Sequence, residues 1–152
     1  MKKIAEDSFP ASLEAIKIQY YKSKIGELIL GSFNNKLCLL DFKYRKMRLI
    51  VDNRIKNKLS AKFLIQDNKI LKDTRKQIGE YLSADRKEFD LPILTVGTDF
   101  QKEVWNALSK IKYGETASYL DLAKNIGNKK AVQAVASANA ANSLACLLYT
   151  SD

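Results

Sequence analysis

Histidine is absent from the 152 residues, which hold only two cysteines, two prolines and one tryptophan. Each shortage excludes something. Without histidine a zinc site would have to be built almost wholly from carboxylates. Cys38 and Cys146 lie far apart with no Cys-x-x-Cys spacing, so a structural metal is not expected. No apolar stretch approaches the roughly 18 residues that a membrane span needs. Met1-Lys2-Lys3 is followed by Glu6 and Asp7, where a signal peptide would carry an apolar segment. A cytoplasmic chain is therefore expected. Internal repeats and low-complexity segments are also missing. What is present is a 46% hydrophobic content, enough at this length for one good core or two small ones sharing an interface.

Positive charge is in excess, with a formal net charge of +9. Residues 1–97 carry 20 Lys and Arg against 12 Asp and Glu, so the surplus lies in the N-terminal part. Within residues 43–62, Lys43, Arg45, Lys46, Arg48, Arg54, Lys56, Lys58 and Lys62 face only Asp52 in the linear sequence. Such a run would attract a phosphate backbone, or serve simply as a solvated face.

Ile16 to Tyr21 and Glu27 to Phe33 are β-prone runs joined through Lys24-Ile25-Gly26, and Asn34-Asn35 turns the chain into a third run, Leu37 to Lys43. Residues 46–60 have mixed helical character, and Lys62 to Gln66 reads as another strand. Ile70, Thr74, Ile78, Tyr81 and Leu82 repeat at helical spacing until Ser83-Ala84-Asp85 ends the pattern. Strands followed by helices predict an α+β unit over residues 1–94. The stretch Phe89 to Gly97 has no helical period and holds one of the two prolines, which makes it the expected linker.

The second unit, residues 95–152, opens on a capping box at Thr98 and Gln101. Phe100, Val104, Leu108 and Ile111 then form one apolar stripe beside Trp105, and Gly114 is a stop signal. Ser118 and Asp121 mark a second helix start. Tyr119, Leu122, Ala123 and Ile126 are expected to form its buried face, with Gly127 ending it. Asn128 can cap a third helix, whose expected inner face is Val132, Val135 and Ala136. Two short helices joined by a tight glycine-containing turn are the helix-turn-helix pattern. Gln133, Ser137 and Ala140 fall at i, i+4 and i+7 on the other face, with no charged residue between Ala131 and Asn142. So small and uncharged a surface fits either close docking in a groove or plain burial.

The string GTDFQKEVWNALSKIKYGETASYLDLAKNIGNKKAVQAVASANAAN resembles the DNA-binding and active-site domain of the O6-alkylguanine-DNA alkyltransferases, the methylated-DNA-protein-cysteine methyltransferases. It is also similar to the C-terminal domain of the adaptive-response regulator of that family. The upstream strings IGELILGS, LCLLDF and EFDLPI fit the family's ribonuclease-H-like N-terminal domain. The resemblance implies a small ribonuclease-H-like domain followed by a truncated winged helix-turn-helix domain. It also implies a monomer that binds double-stranded DNA containing O6-alkylguanine. Members dock in the minor groove, rotate the lesion out of the stack, and move its alkyl group irreversibly to one cysteine; O4-methylthymine is a further substrate. By residue-by-residue matching, Tyr119 corresponds to the tyrosine that helps rotate the nucleotide, and Asn142 to the asparagine that shapes the active-site turn. Lys129, Lys130, Gln133 and Ser137 are matched to DNA contacts. Gln133 stands where most members have an arginine that fills the gap left by the flipped base.

The family's Pro-Cys-His motif would fall on Tyr149, Thr150 and Ser151, so the nucleophile is absent from its aligned position at Thr150 and the chain is expected to be inactive. Cys146 lies four places early and lacks a basic neighbour; it is either a buried hydrophobe or a displaced nucleophile. The tail CLLYTSD resembles a translated sequencing adapter, which implies a fragment whose gene continues into the motif. Two alternatives are a cysteine-less lesion-binding relative and a helix-turn-helix transcription regulator of other ancestry.

Overall fold

Two tight turns build the sheet. In the computed structural model, which describes residues 15–111 and 117–144, Ala15–Ser23 (β1), Gly26–Phe33 (β2) and Lys36–Phe42 (β3) form the expected antiparallel meander. Asn34 and Asn35 take φ of 53° and 62°, the left-handed pair that a two-residue hairpin requires and that asparagine tolerates. Helix α1 covers Arg48–Leu59, and Lys62–Ile65 (β4) returns parallel to β1, giving the strand order β3-β2-β1-β4. Helix α2, Lys69–Leu82, starts on Asn68, whose side chain accepts from the Leu71 N–H, and its amide donates to Ser32 Oγ at 2.7 Å. Ala84, at φ 62°, follows the helix end.

Helices cover both faces of the middle strands, and a β-bulge at Gly31/Ser32 interrupts their alternation. Gly31 pairs with Leu39 and Ser32 with Leu37, which leaves Cys38 as the extra residue. Alternation is therefore broken, and Cys38 and Leu39 both join the core under α1, with Ile16, Ile18, Ile29, Val51 and Ile55. On the opposite face Leu28, Leu30, Leu37 and Leu40 meet Leu71 and Ile78 of α2. That second cluster runs on without interruption into α3 (Asp99–Ser109), α4 (Tyr119–Asn125) and α5 (Val132–Ala140).

The segment 89–97 is more than a connector. The Leu37 N–H donates to Pro92 O at 2.8 Å and the Leu94 N–H to Leu37 O at 2.9 Å, forming a parallel bridge on the outer edge of β3. Gln77 holds the Asp90 backbone from both sides, and the Tyr81 and Phe89 rings pack 5.0 Å apart. Leu144 makes a second parallel bridge, to Leu40, so an edge open to pairing is covered by two later segments.

Gly97 permits the close approach that follows. A Cβ there would lie 2.5 Å from Trp105 Cη2 and 2.6 Å from Gln101 Oε1, too near for any atom. Gly97→Ala is expected to lower stability by about 1–3 kcal/mol through overpacking, read as a shift in the urea midpoint. An unchanged midpoint would show that the indole relaxes freely.

Candidate nucleic-acid interface

Both capping boxes read from the sequence form. Thr98 Oγ1 accepts from the Gln101 N–H and the Gln101 side chain returns to the Thr98 N–H. Ser118 and Asp121 repeat the arrangement at the start of α4. The hydrogen bonds from Ser118 hold the Asp121 carboxyl below its ordinary range. Gly127, at φ 89°, makes the turn, and the Asn128 side chain accepts from the Lys130 N–H before the helical turn Lys129–Ala131 leads into α5.

The buried faces differ in part from expectation. Leu122 and Ala123 are buried as expected, whereas Tyr119 is 39% exposed. Tyr119 is the first residue of α4, where the turn before it cannot cover the ring; its Oη accepts from Asn139 Nδ2 of α5 at 3.3 Å. On α5 the inner face is Val135 and Ala138, with Val132 and Ala136 only partly covered. Ala138 is fixed there because its carbonyl accepts from the Trp105 indole at 2.9 Å. Gln133, Ser137 and Ala140 are all exposed, which removes the burial reading of this face. Lys130 is exposed beside the N-terminal end of α5, where the helix dipole adds partial positive charge. The result is an exposed helix face without charge at its centre and with cationic character at its N-terminal end.

Asn142 sits where α5 meets the sheet. It is 6% exposed; its Oδ1 accepts from the Leu144 N–H at 2.9 Å, and its carbonyl accepts from Arg45 Nη1 at 3.0 Å. Ser143 Oγ donates to Cys38 O and the Leu40 N–H to Ser143 O, at 2.9 and 2.8 Å. Asn139 and Arg45 are the partners that sequence reasoning missed. Asn139 lay within an uncharged run with nothing to mark it, and Arg45 was grouped with the basic run.

That run is not opposed by Asp52 alone. Glu27 pairs with Lys43, and the buried Asp41 pairs with Arg45 and Arg48, while Arg48 also holds Asp52. Both Glu27 and Asp41 precede the run in sequence and meet it through the sheet. Arg54 lies over the Trp105 ring at 5.5 Å; burial, then Arg45 and Arg48, lower its pKa. Lys56 lies over the Phe63 ring at 4.9 Å, so five of the eight cations are engaged within the molecule. Burial pushes the Cys38 thiol up to about 12. No group of residues that could hold a metal occurs among the described residues. Gly114, Cys146 and Thr150 lie outside the described residues, as does the side chain of Lys129.

Comparison with known proteins gives this surface its context. The family model for the 6-O-methylguanine DNA methyltransferase ribonuclease-like domain matches residues 16–95, and the model for its DNA binding domain matches residues 99–148. A methylated-DNA–protein-cysteine methyltransferase of Methanosarcina acetivorans is 34% identical over 128 residues, 84% of this chain and 76% of that protein. The constitutive Bacillus subtilis enzyme of the same name is 47% identical over 74 residues, 49% of this chain and 45% of its own. The crystal structure of Mycobacterium tuberculosis OGT in complex with DNA superposes with a TM-score of 0.69 at 28% identity, covering 88% of this chain and 74% of that one. The α+β sheet, the helical segment that continues its core and these matches have one consequence: this chain belongs to the 6-O-methylguanine DNA methyltransferase family.

Proposed function

We propose that this protein docks α5 in the minor groove of a duplex that carries O6-alkylguanine, the lesion-binding step of DNA repair by alkyl transfer, in a chain that holds no activated thiolate of its own to accept the alkyl group. The observation that carries the reading is the exposed, uncharged face of Gln133, Ser137 and Ala140 beside Tyr119. Small neutral side chains let a helix backbone approach a groove floor, while Lys129 and Lys130 meet the phosphates that flank it. Tyr119 lies next to this face and assists rotation of the lesion, its hydroxyl oriented by Asn139. Gln133 occupies the gap that the lesion leaves. Asn142 shapes the turn that leads toward the acceptor site. In the family's reaction a thiolate attacks the alkyl carbon, an S–C bond forms as the O6–C bond breaks, and guanine is left repaired. The protein acts as a monomer, with residues 1–94 as the supporting domain and 95–152 as the docking domain.

Duplex binding by the full chain tests the docking face. Ser137→Trp adds bulk but no charge, and is expected to weaken binding roughly tenfold by holding the backbone away from the groove, about 1.4 kcal/mol. Removing Lys130 with Lys130→Ala is instead expected to lower the slope of log K against log salt by about 1. Unchanged affinity in Ser137→Trp would place the DNA elsewhere. A footprint restricted to a palindromic sequence would favour a transcription regulator.

A further inference from the structure

The end of the docking helix is held by a residue from the short segment between β3 and α1. Asp41, at the end of β3, is 1% exposed, and a carboxylate removed from water must be paired. Its Oδ1 accepts from the Phe42 N–H and its Oδ2 from Arg45, with Arg48 3.2 Å away. The same Arg45 nitrogen, Nη1, also donates to the Asn142 carbonyl at 3.0 Å. A terminal guanidinium nitrogen has two N–H groups, so one atom serves both acceptors. Asn142 lies two residues past the last residue of α5, where unsatisfied carbonyls gather and a cation is favoured by the helix dipole.

Arg45 is only 23% exposed, and both ends of its bridge are inside the molecule. Its role therefore differs from that of a surface cation waiting for phosphate. We propose that Arg45 is a positioning residue: anchored on Asp41, it fixes the Asn142 turn and with it the angle at which α5 leaves the sheet, so that duplex docking depends on a side chain that touches no DNA. The inference rests on the proposed docking role of α5, and the test separates the two.

Two measurements on the full chain decide it: amide hydrogen exchange at Leu40 and Leu144, and duplex affinity at several salt concentrations. Arg45→Met is expected to speed exchange at the Leu144 and Leu40 amides and to weaken duplex binding, each roughly tenfold, the change expected for loss of one charge-assisted hydrogen bond. The salt slope is expected to stay as in the parent, because no phosphate contact is removed. Arg45→Lys retains a charge with several N–H groups and should restore part of both signals. If Arg45→Met fails to fold, Asp41→Asn removes the anchor with a smaller change and should move both signals the same way.

A salt slope lowered by about 1 with exchange unchanged would make Arg45 a direct phosphate contact and overturn the proposal. Faster exchange with unaltered affinity would overturn it also, since the turn would then have no bearing on docking. Should the parent chain bind no duplex, the docking reading fails, and exchange alone decides whether Arg45 holds the turn.

Discussion

Incubated with duplex DNA carrying O6-methylguanine, this chain is expected to acquire no methyl group. Alkyl transfer needs a thiolate, and the two cysteines differ in why neither supplies one. Cys38 is fully buried in the bulge of β3, and its thiol, pushed up to about 12, can donate only to Gly31 O. At neutral pH the thiol stays protonated, and it faces the α1 core where no base can enter. Cys146 has Ala145 and Leu147 as sequence neighbours, and no Lys or Arg follows Lys130 in the sequence. By the resemblance, the family's nucleophile would fall on Thr150, and the sequence holds no histidine to activate its hydroxyl. Intact-mass measurement after incubation should find the unmodified protein alone. A stoichiometric methyl on Cys146 would reverse this conclusion and identify a displaced nucleophile.

The features legible in the sequence were those set by neighbours a few residues apart. Asn34-Asn35 announced a hairpin because few other residues accept two successive positive φ angles. The boxes at Thr98 and Ser118 announced helix starts because both partners lie three residues apart. The uncharged face of Gln133, Ser137 and Ala140 was visible as a pattern, but whether it was exposed depended on what else covered it, and periodicity does not settle that. Tyr119 was misassigned because helical spacing places it above Leu122 and Ala123, while its position at the first residue of α4 leaves the ring uncovered. Arg45 was the furthest from view. Its partner Asn142 is 97 residues away, and the two meet only because residues 143 and 144 pair with the edge of β3. A linear count of charges gave Arg45 to solvent; the fold gives it to a carboxylate and a carbonyl.

That same dependence of the helices on the sheet leads to the largest stability loss expected of any single substitution, at Trp105. The indole is 2% exposed within the cluster that joins β2, β3 and α2 to the last three helices, so it lies on the path through which those helices are held. Gly97 leaves room for one edge of the ring, Arg54 lies over its face, and Nε1 donates to Ala138 O. Trp105→Ala removes the buried ring from a site with contacts on several sides, and such truncations cost about 3–5 kcal/mol, a large share of the roughly 5–15 kcal/mol that holds a domain of this size. Lost hydrogen bonding adds little, because Ala138 O also accepts from the Ala141 N–H at 3.2 Å. The Arg54 guanidinium would lose its contact with the indole ring, and its buried Nε and Nη2, which have no hydrogen-bond partner among the described residues, would face a cavity. Trp105→Phe retains most of the apolar area and should cost far less, about 1–2 kcal/mol. Urea unfolding followed by far-ultraviolet circular dichroism distinguishes the outcomes: the alanine variant should unfold at much lower denaturant, and the phenylalanine variant should lie between it and the parent. Equal midpoints for the parent and Trp105→Ala would mean that the helices hold to the sheet without the indole, through Asn142 and its neighbours alone.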